Sequence, residues 1–149
     1  MLEKEVKIKK LKDAAQVPSY GTNNAAGADL YACIDEEVVI ESGETKLVPT
    51  GLSFELPIGY AGLIYARSGL ASKKGLAPAN KVGVVDSDYR GEVMVALHNH
   101  SNEVQKIEIG ERIAQFIITP YLKANYIIVD ELDSNTERGA NGFGSTGAK

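Results

Sequence analysis

One cysteine is all the thiol chemistry that this 149-residue chain carries. Alone, Cys33 can close no disulfide within the chain and can build no thiolate zinc cluster, so a disulfide-stapled scaffold is excluded and a reducing compartment fits. Long apolar runs are missing too. No stretch approaches the roughly 20 residues that cross a bilayer, and the opening Met1-Leu2-Glu3-Lys4-Glu5 lacks the apolar core of an export signal. Positive charge is in deficit, with 16 Lys and Arg against 20 Asp and Glu and a formal net charge of −4. A broad basic footprint for nucleic acid is therefore disfavoured, and any anionic ligand must be held by local groups. Also absent is any window with the periodicity of a long amphipathic helix. These absences predict a cytoplasmic single domain with no nucleic-acid or membrane partner.

What is present is enough apolar sequence for a core, 44% hydrophobic against 24% charged, broken into short runs by turn residues. Glycine, at 15 residues, supplies much of that punctuation. The runs read as strands at Val6–Leu11, Glu37–Ile40, Lys46–Val48, Leu52–Leu56, Ala61–Ala66, Val82–Val85, Glu92–His98, Val104–Ile109, Arg112–Thr119 and Tyr126–Val129. In Glu92–His98, Val93, Val95 and Leu97 share one face while Met94, Ala96 and His98 share the other, which marks an interior strand. So many short strands predict an all-β sandwich, jelly roll or barrel. One short helix is expected near Ser68–Lys74, with Ser68 as its cap and Gly75 as its stop.

Chemistry can reside in several places. The tail Arg138-Gly-Ala-Asn-Gly-Phe143-Gly144-Ser145-Thr146-Gly147 contains G-x-G-x-x-G, but only two residues follow Gly147, so the helix that a dinucleotide fold needs has no room. The tail is either a frayed terminus or a ligand wrap, with hydroxyls at Ser145 and Thr146, a phosphate fork at Arg138 and a flat stacking face at Phe143. Around Arg67-Ser68-Gly69, a helix start would aim free amides at an anion, or else merely cap a surface turn. Between Asn80 and Val95, two apolar strands flank a turn containing Asp86, Asp88 and Tyr89. Asp86 at a strand end suits a general base, and Asp-x-Asp spacing suits a hard cation, although turn aspartates commonly bond their own amides. Gln115, alone among apolar neighbours, needs a partner or a ligand. His98 and His100 share a strand face, as a surface or interface pair or as half of a metal site that lacks a third ligand.

Taken in order, Ala25-Ala-Gly-Ala-Asp29-Leu-Tyr-Ala32, Arg67-Ser-Gly-Leu-Ala71, Gly83-Val-Val-Asp86-Ser-Asp-Tyr89-Arg-Gly91, Gly110-Glu-Arg-Ile-Ala-Gln115 and the tail from Arg138 resemble the five motifs of the trimeric deoxyuridine triphosphate nucleotidohydrolases, the dUTPases. The resemblance covers nearly the whole chain. It implies a jelly-roll-like, distorted β-barrel with one short helix and a flexible glycine-rich C-terminal tail. It implies one domain over residues 1–149, with 138–149 a mobile arm closing over the active site. The activity implied is hydrolysis of dUTP to dUMP and pyrophosphate, which keeps dUTP low and supplies dUMP for thymidylate synthesis. Asp86 matches the carboxylate that activates the attacking water. Asn80 and the main chain at Val84, Val85 and Met94 match the uracil pocket, and Tyr89 matches the ring that packs on deoxyribose and excludes a 2′-hydroxyl. Arg67, Ser68, Gly69 and Gln115 match phosphate contacts. Phe143 matches the residue stacked over uracil; Arg138, Ser145 and Thr146, with Gly144 between, match contacts to the terminal phosphates.

Mg²⁺ is implied as cofactor, held by the triphosphate and water with no direct protein ligand, Asp29 serving as a support for that region. A homotrimer with shared active sites is implied as well. Two other readings stay open: a dCTP deaminase of related fold, and a non-enzymatic nucleotide- or partner-binding jelly roll.

Overall fold

A computed structural model describes residues 3–142, in which twelve strands and one short helical turn form. The strands are β1 (Lys7–Lys10), β2 (Ser19–Tyr20), β3 (Ala28–Tyr31), β4 (Val38–Ile40), β5 (Thr45–Pro49), β6 (Leu52–Glu55), β7 (Tyr60–Tyr65), β8 (Leu76–Pro78), β9 (Gly83–Val85), β10 (Met94–Asn99), β11 (Gln105–Ile107) and β12 (Arg112–Pro120). They form a five-stranded sheet in the order β2-β3-β12-β7-β9, a three-stranded sheet β5-β10-β8, and two-stranded sheets β1-β6 and β4-β11. All pairings are antiparallel. This is the all-β jelly-roll arrangement. Among the described residues no helix is long and apolar enough to cross a membrane.

Alternation builds the core. Val93, Val95 and Leu97 turn inward from the β10 segment, joined by Leu30, Ile40, Val48, Leu52, Leu76, Ile107 and Ile113 from other strands. Phe54 and Phe116 meet with ring centroids 5.0 Å apart and planes tilted by 54°. Gly62 makes room for that pair, since a Cβ there would fall on the Phe116 ring. Two polar side chains, Thr50 and Asn99, are fully enclosed among the described residues. Asn99 donates from Nδ2 to the carbonyls of Ile40 (2.9 Å) and Glu103 (2.7 Å) and accepts at Oδ1 from the Ser101 amide and hydroxyl, so all its bonding capacity is used.

Every expected strand forms except Tyr126–Val129. There the exposures are 92% at Tyr126, 75% at Ile127, 98% at Ile128 and 54% at Val129, with no strand partner among the described residues. A sequence with strand propensity cannot form a ladder without a neighbour, and the described residues offer it none. Three strands escape the sequence pattern. β2 has only two residues, β3 carries an aspartate at its centre, and β8 ends in Pro78, which is tolerated because β8 lies at the edge of its sheet. The helical turn is one turn of π-helix over Leu70–Lys74. Gly75 ends it as expected, at φ 65° with its N–H bonded to the Leu70 carbonyl. Ser68 does not cap it: no side chain does, and Ser68 instead presents its carbonyl to the Ser72 hydroxyl at 2.6 Å.

Candidate active site

The segment Asn80–Val95 does not fold back as a paired hairpin. β9 pairs with β7 at the edge of the five-stranded sheet, whereas β10 is the middle strand of the three-stranded sheet. The connecting turn, Asp86–Val93, therefore bridges two sheets that diverge, and a cleft of about 220 Å³ opens between them. Its walls include Asn80, Val84, Val85, Asp86, Tyr89 and Met94, all six of the residues expected there. Ile64, Gly83, Glu92 and Val93 complete it.

Each wall is positioned by backbone bonds. Asn80 sits in a tight turn in which Lys81 donates to the Pro78 carbonyl (3.0 Å) and Val82 to the Asn80 carbonyl (2.7 Å), with Lys81 at φ 65°. β9 is an edge strand, so its outward-pointing N–H and C=O groups face the cleft side without a strand partner among the described residues. Met94 is paired across to Pro49, while the β8 pairing starts only at Leu97, which leaves the other flank of Met94 open. The turn is tied to the β5–β6 connection: Thr50 donates from its hydroxyl (2.6 Å) to the Val93 carbonyl, and Val93 donates to the Leu52 carbonyl (2.8 Å). Glu92 adds a side-chain tie, accepting from the Gly51 amide at 2.8 Å.

Asp86 is exposed, and among the described residues its carboxylate enters no ion pair. Its main-chain carbonyl accepts from the Tyr89 amide at 3.2 Å, closing the turn. The Tyr89 hydroxyl donates to the Glu92 carbonyl at 2.9 Å, which lays the ring across the turn. Arg90 clips the same loop from outside through the carbonyls of Ser87 (2.7 Å) and Tyr89 (3.0 Å).

A second cluster lies elsewhere on the five-stranded sheet. Asp29, only 8% exposed, accepts from Arg67 Nε at 2.7 Å and from Arg112 Nη1 at 3.3 Å. Because Arg67 uses Nε for this pair, its two terminal nitrogens remain available for the bidentate grip on a phosphate. Gln115 stands between Asp29 and Tyr65 in register, its side chain lying so close over Gly27 that a Cβ there would be 2.7 Å from Oε1. Ser68 is exposed, and a Cβ on Gly69 would meet nothing within 4 Å, so this edge is open to a ligand. Arg112 lies inside the fourth motif and Glu92 directly follows the third, but neither has a role assigned from the sequence; their contacts reveal one.

The two clusters do not converge within one chain. Gln115 is level with Tyr65, and Ile118 is level with Gly62 and so with Val85; β9 runs on from there toward Asp86, away from Gln115. With about 4.8 Å between strands and 3.4 Å per residue, Asp86 and Asp29 lie roughly 20 Å apart. Arg138 is bonded locally, from Nε to the Asn141 carbonyl at 2.9 Å. Phe143, Gly144, Ser145 and Thr146 lie outside the described residues. Among those described, no group of three or more His, Cys, Asp or Glu side chains is placed to hold a metal; the rings of His98 and His100 meet with centroids 4.4 Å apart, and Nδ1 of His98 is 2.8 Å from the Thr45 hydroxyl.

Comparison with known proteins bears on this pair of clusters. The chain is 54% identical over 143 residues to a deoxyuridine 5'-triphosphate nucleotidohydrolase of Nautilia profundicola, covering 96% of this chain and 99% of that one. It is 52% identical over 138 residues to the enzyme of that name from Treponema denticola, covering 93% and 95%. Among solved structures, a mutant dUTPase of Staphylococcus bacteriophage 80alpha with dUpNHpp superposes with a TM-score of 0.86 at 30% identity, covering 97% and 99%. A mutant dUTPase from phage phi11 of S. aureus, described with a structural Mg(II) ion, shares the fold at a TM-score of 0.76 and 24% identity, covering 87% and 99%. The dUTPase family model matches residues 13–147, nearly the entire chain, and the chain belongs to the dUTPase family.

Proposed function

We propose that this dUTPase hydrolyses dUTP to dUMP and pyrophosphate by in-line attack on the α-phosphorus of a water held and deprotonated by Asp86. The observation that carries the reading is the cleft between the diverging sheets, where an exposed carboxylate, a carboxamide, an open strand edge and a tyrosine ring converge. Uracil pairs with the Asn80 amide and the main chain at Val84, Val85 and Met94. Cytosine presents the opposite donor and acceptor there, and rejecting it follows from the buried groups it would leave unpaired. Tyr89 packs on deoxyribose and blocks a 2′-hydroxyl. Arg67, Ser68, Gly69 and Gln115 hold the phosphates, with Asp29 fixing the Arg67 guanidinium. Residues 138–149 close over the nucleotide, Phe143 stacking on uracil while Arg138, Ser145 and Thr146, beside Gly144, take the terminal phosphates; exclusion of water strengthens each of these charges.

The roughly 20 Å between Asp86 and Asp29 supports a homotrimer with shared sites, because a single triphosphate cannot span both clusters of the same chain. Support comes also from the exposed apolar segment at Tyr126–Val129, which is suited to a second subunit. The donor set fits a triphosphate-borne Mg²⁺: Asp29 is committed to two arginines, and hard Mg²⁺ keeps phosphate and water oxygens. When bound, the ion supplies charge neutralisation at the phosphates. In the cell the activity would keep dUTP low and supply dUMP for thymidylate synthesis in the cytoplasm.

Pyrophosphate release with Mg²⁺, run in parallel on dUTP, dCTP, dTTP and UTP, tests the reading. Turnover confined to dUTP is expected. Ammonia release from dCTP would move the protein to deaminase chemistry, and dUTP binding without turnover would leave a nucleotide-binding module.

A further inference from the structure

Gly91 is exposed, and its φ lies outside the left-handed region, so neither burial nor backbone conformation asks for glycine. The tyrosine ring does. A Cβ at position 91 would fall on the Tyr89 hydroxyl, 2.6 Å from Cζ and 3.0 Å from Cε2. The ring is therefore seated directly on the bare Cα of Gly91 and pinned at its far end by the hydroxyl's bond to the Glu92 carbonyl. That carbonyl is itself fixed, since the Glu92 side chain holds the Gly51 amide and Val93 is held by Thr50 and Leu52. Gly51 belongs to a tight turn at φ 69°, crowded by Cys33 and Ala15.

We infer that Gly91 is a specificity-determining residue: its missing side chain sets the height of the Tyr89 ring over the sugar subsite, and thereby the preference for deoxyribose over ribose. The inference rests on the assignment of Tyr89 to the sugar. At 44% exposed, the ring can swing outward at small cost to folding. A methyl group at position 91 thus shifts the ring rather than the backbone. Stability is kept while the ring's position, and with it the exclusion of a 2′-hydroxyl, is lost.

The test measures kcat/KM for dUTP and UTP, together with Tm, for the intact chain and for Gly91→Ala, Tyr89→Ala and the double variant. Gly91→Ala is expected to keep Tm within a few degrees and to lower the dUTP:UTP preference about tenfold or more, the scale on which one misfitted group is discriminated. Tyr89→Ala is expected to lower it at least as far, and adding Gly91→Ala to it to change nothing more. That non-additivity separates a role exercised through the ring from a general disturbance of the turn. An unchanged preference in Gly91→Ala beside a fallen one in Tyr89→Ala overturns the inference alone. An unchanged preference in Tyr89→Ala overturns the sugar assignment beneath it. A collapse of Tm in Gly91→Ala also overturns the inference, because the ring would then not be what yields.

Discussion

Two aspartates on the same sheet show how far environment decides what a residue does. Asp29 is buried with each oxygen held by an arginine, so its charge is spent on aiming Arg67 and Arg112. Asp86 stands exposed at the end of β9 with no ion pair among the described residues, so its carboxylate is available to a water. Replacing it should separate binding from chemistry. Asp86→Asn is expected to bind a non-hydrolysable dUTP analogue as the intact enzyme does while turnover drops by roughly 100-fold or more, the range for removing a general base. Isothermal titration beside single-turnover hydrolysis reads both quantities; undiminished turnover would remove Asp86 from the mechanism.

Among the elements, β10 carries the most information. Its inward face builds the core, its first residue borders the cleft, and beyond its far end the His100 ring meets that of His98. Partial desolvation, then the neighbouring Lys81 and His98 charges, lower the His100 pKa below its ordinary value. A lowered histidine pKa means that the unfolded chain takes up a proton which the folded chain refuses. The associated stability is therefore complete above the usual histidine value near 6.5 and declines as pH falls below it. Melting temperatures from pH 7.5 to 5.5 are expected to fall less steeply in His100→Gln than in the intact chain, and parallel curves would contradict this. Residues 121–142 after β12 are the opposite kind of element, exposed almost throughout. Ending the chain before Arg138 is expected to leave Tm essentially unchanged while kcat/KM for dUTP falls by about tenfold or more, the scale of contacts made only in the closed state. A large loss of Tm would make the arm structural.

At the scale of the whole molecule, the separation of the clusters is the governing fact. If one site draws its base from one chain and its phosphate contacts from another, two defective chains can repair each other. The Asp86→Asn and Arg67→Ala proteins are each expected to be nearly inactive alone, and unfolding and reassembling them together should restore activity in the mixture. Activity that stays absent after reassembly, with mixed oligomers demonstrated, would mean that each chain holds an entire site.

By itself the sequence determined the all-β class and most strand positions, because alternation and turn residues are local signals, while its ordered motifs, through the family resemblance, pointed to Asn80, Val84, Val85, Asp86, Tyr89 and Met94, which line one cleft. Gly75 as a helix stop was legible for the same reason. The rest depended on which segments meet. That β9 and β10 join different sheets, opening a cleft where a paired hairpin would have been closed, follows from competition among strands distant in sequence. The Asp29 grip on Arg67 and Arg112 spans 38 and 83 residues, which no local pattern encodes. Tyr126–Val129 has the composition of a strand, yet a strand exists only where a neighbour supplies the other half of its hydrogen bonds. Only the tertiary structure decided these points, because each depends on the proximity of groups far apart along the chain.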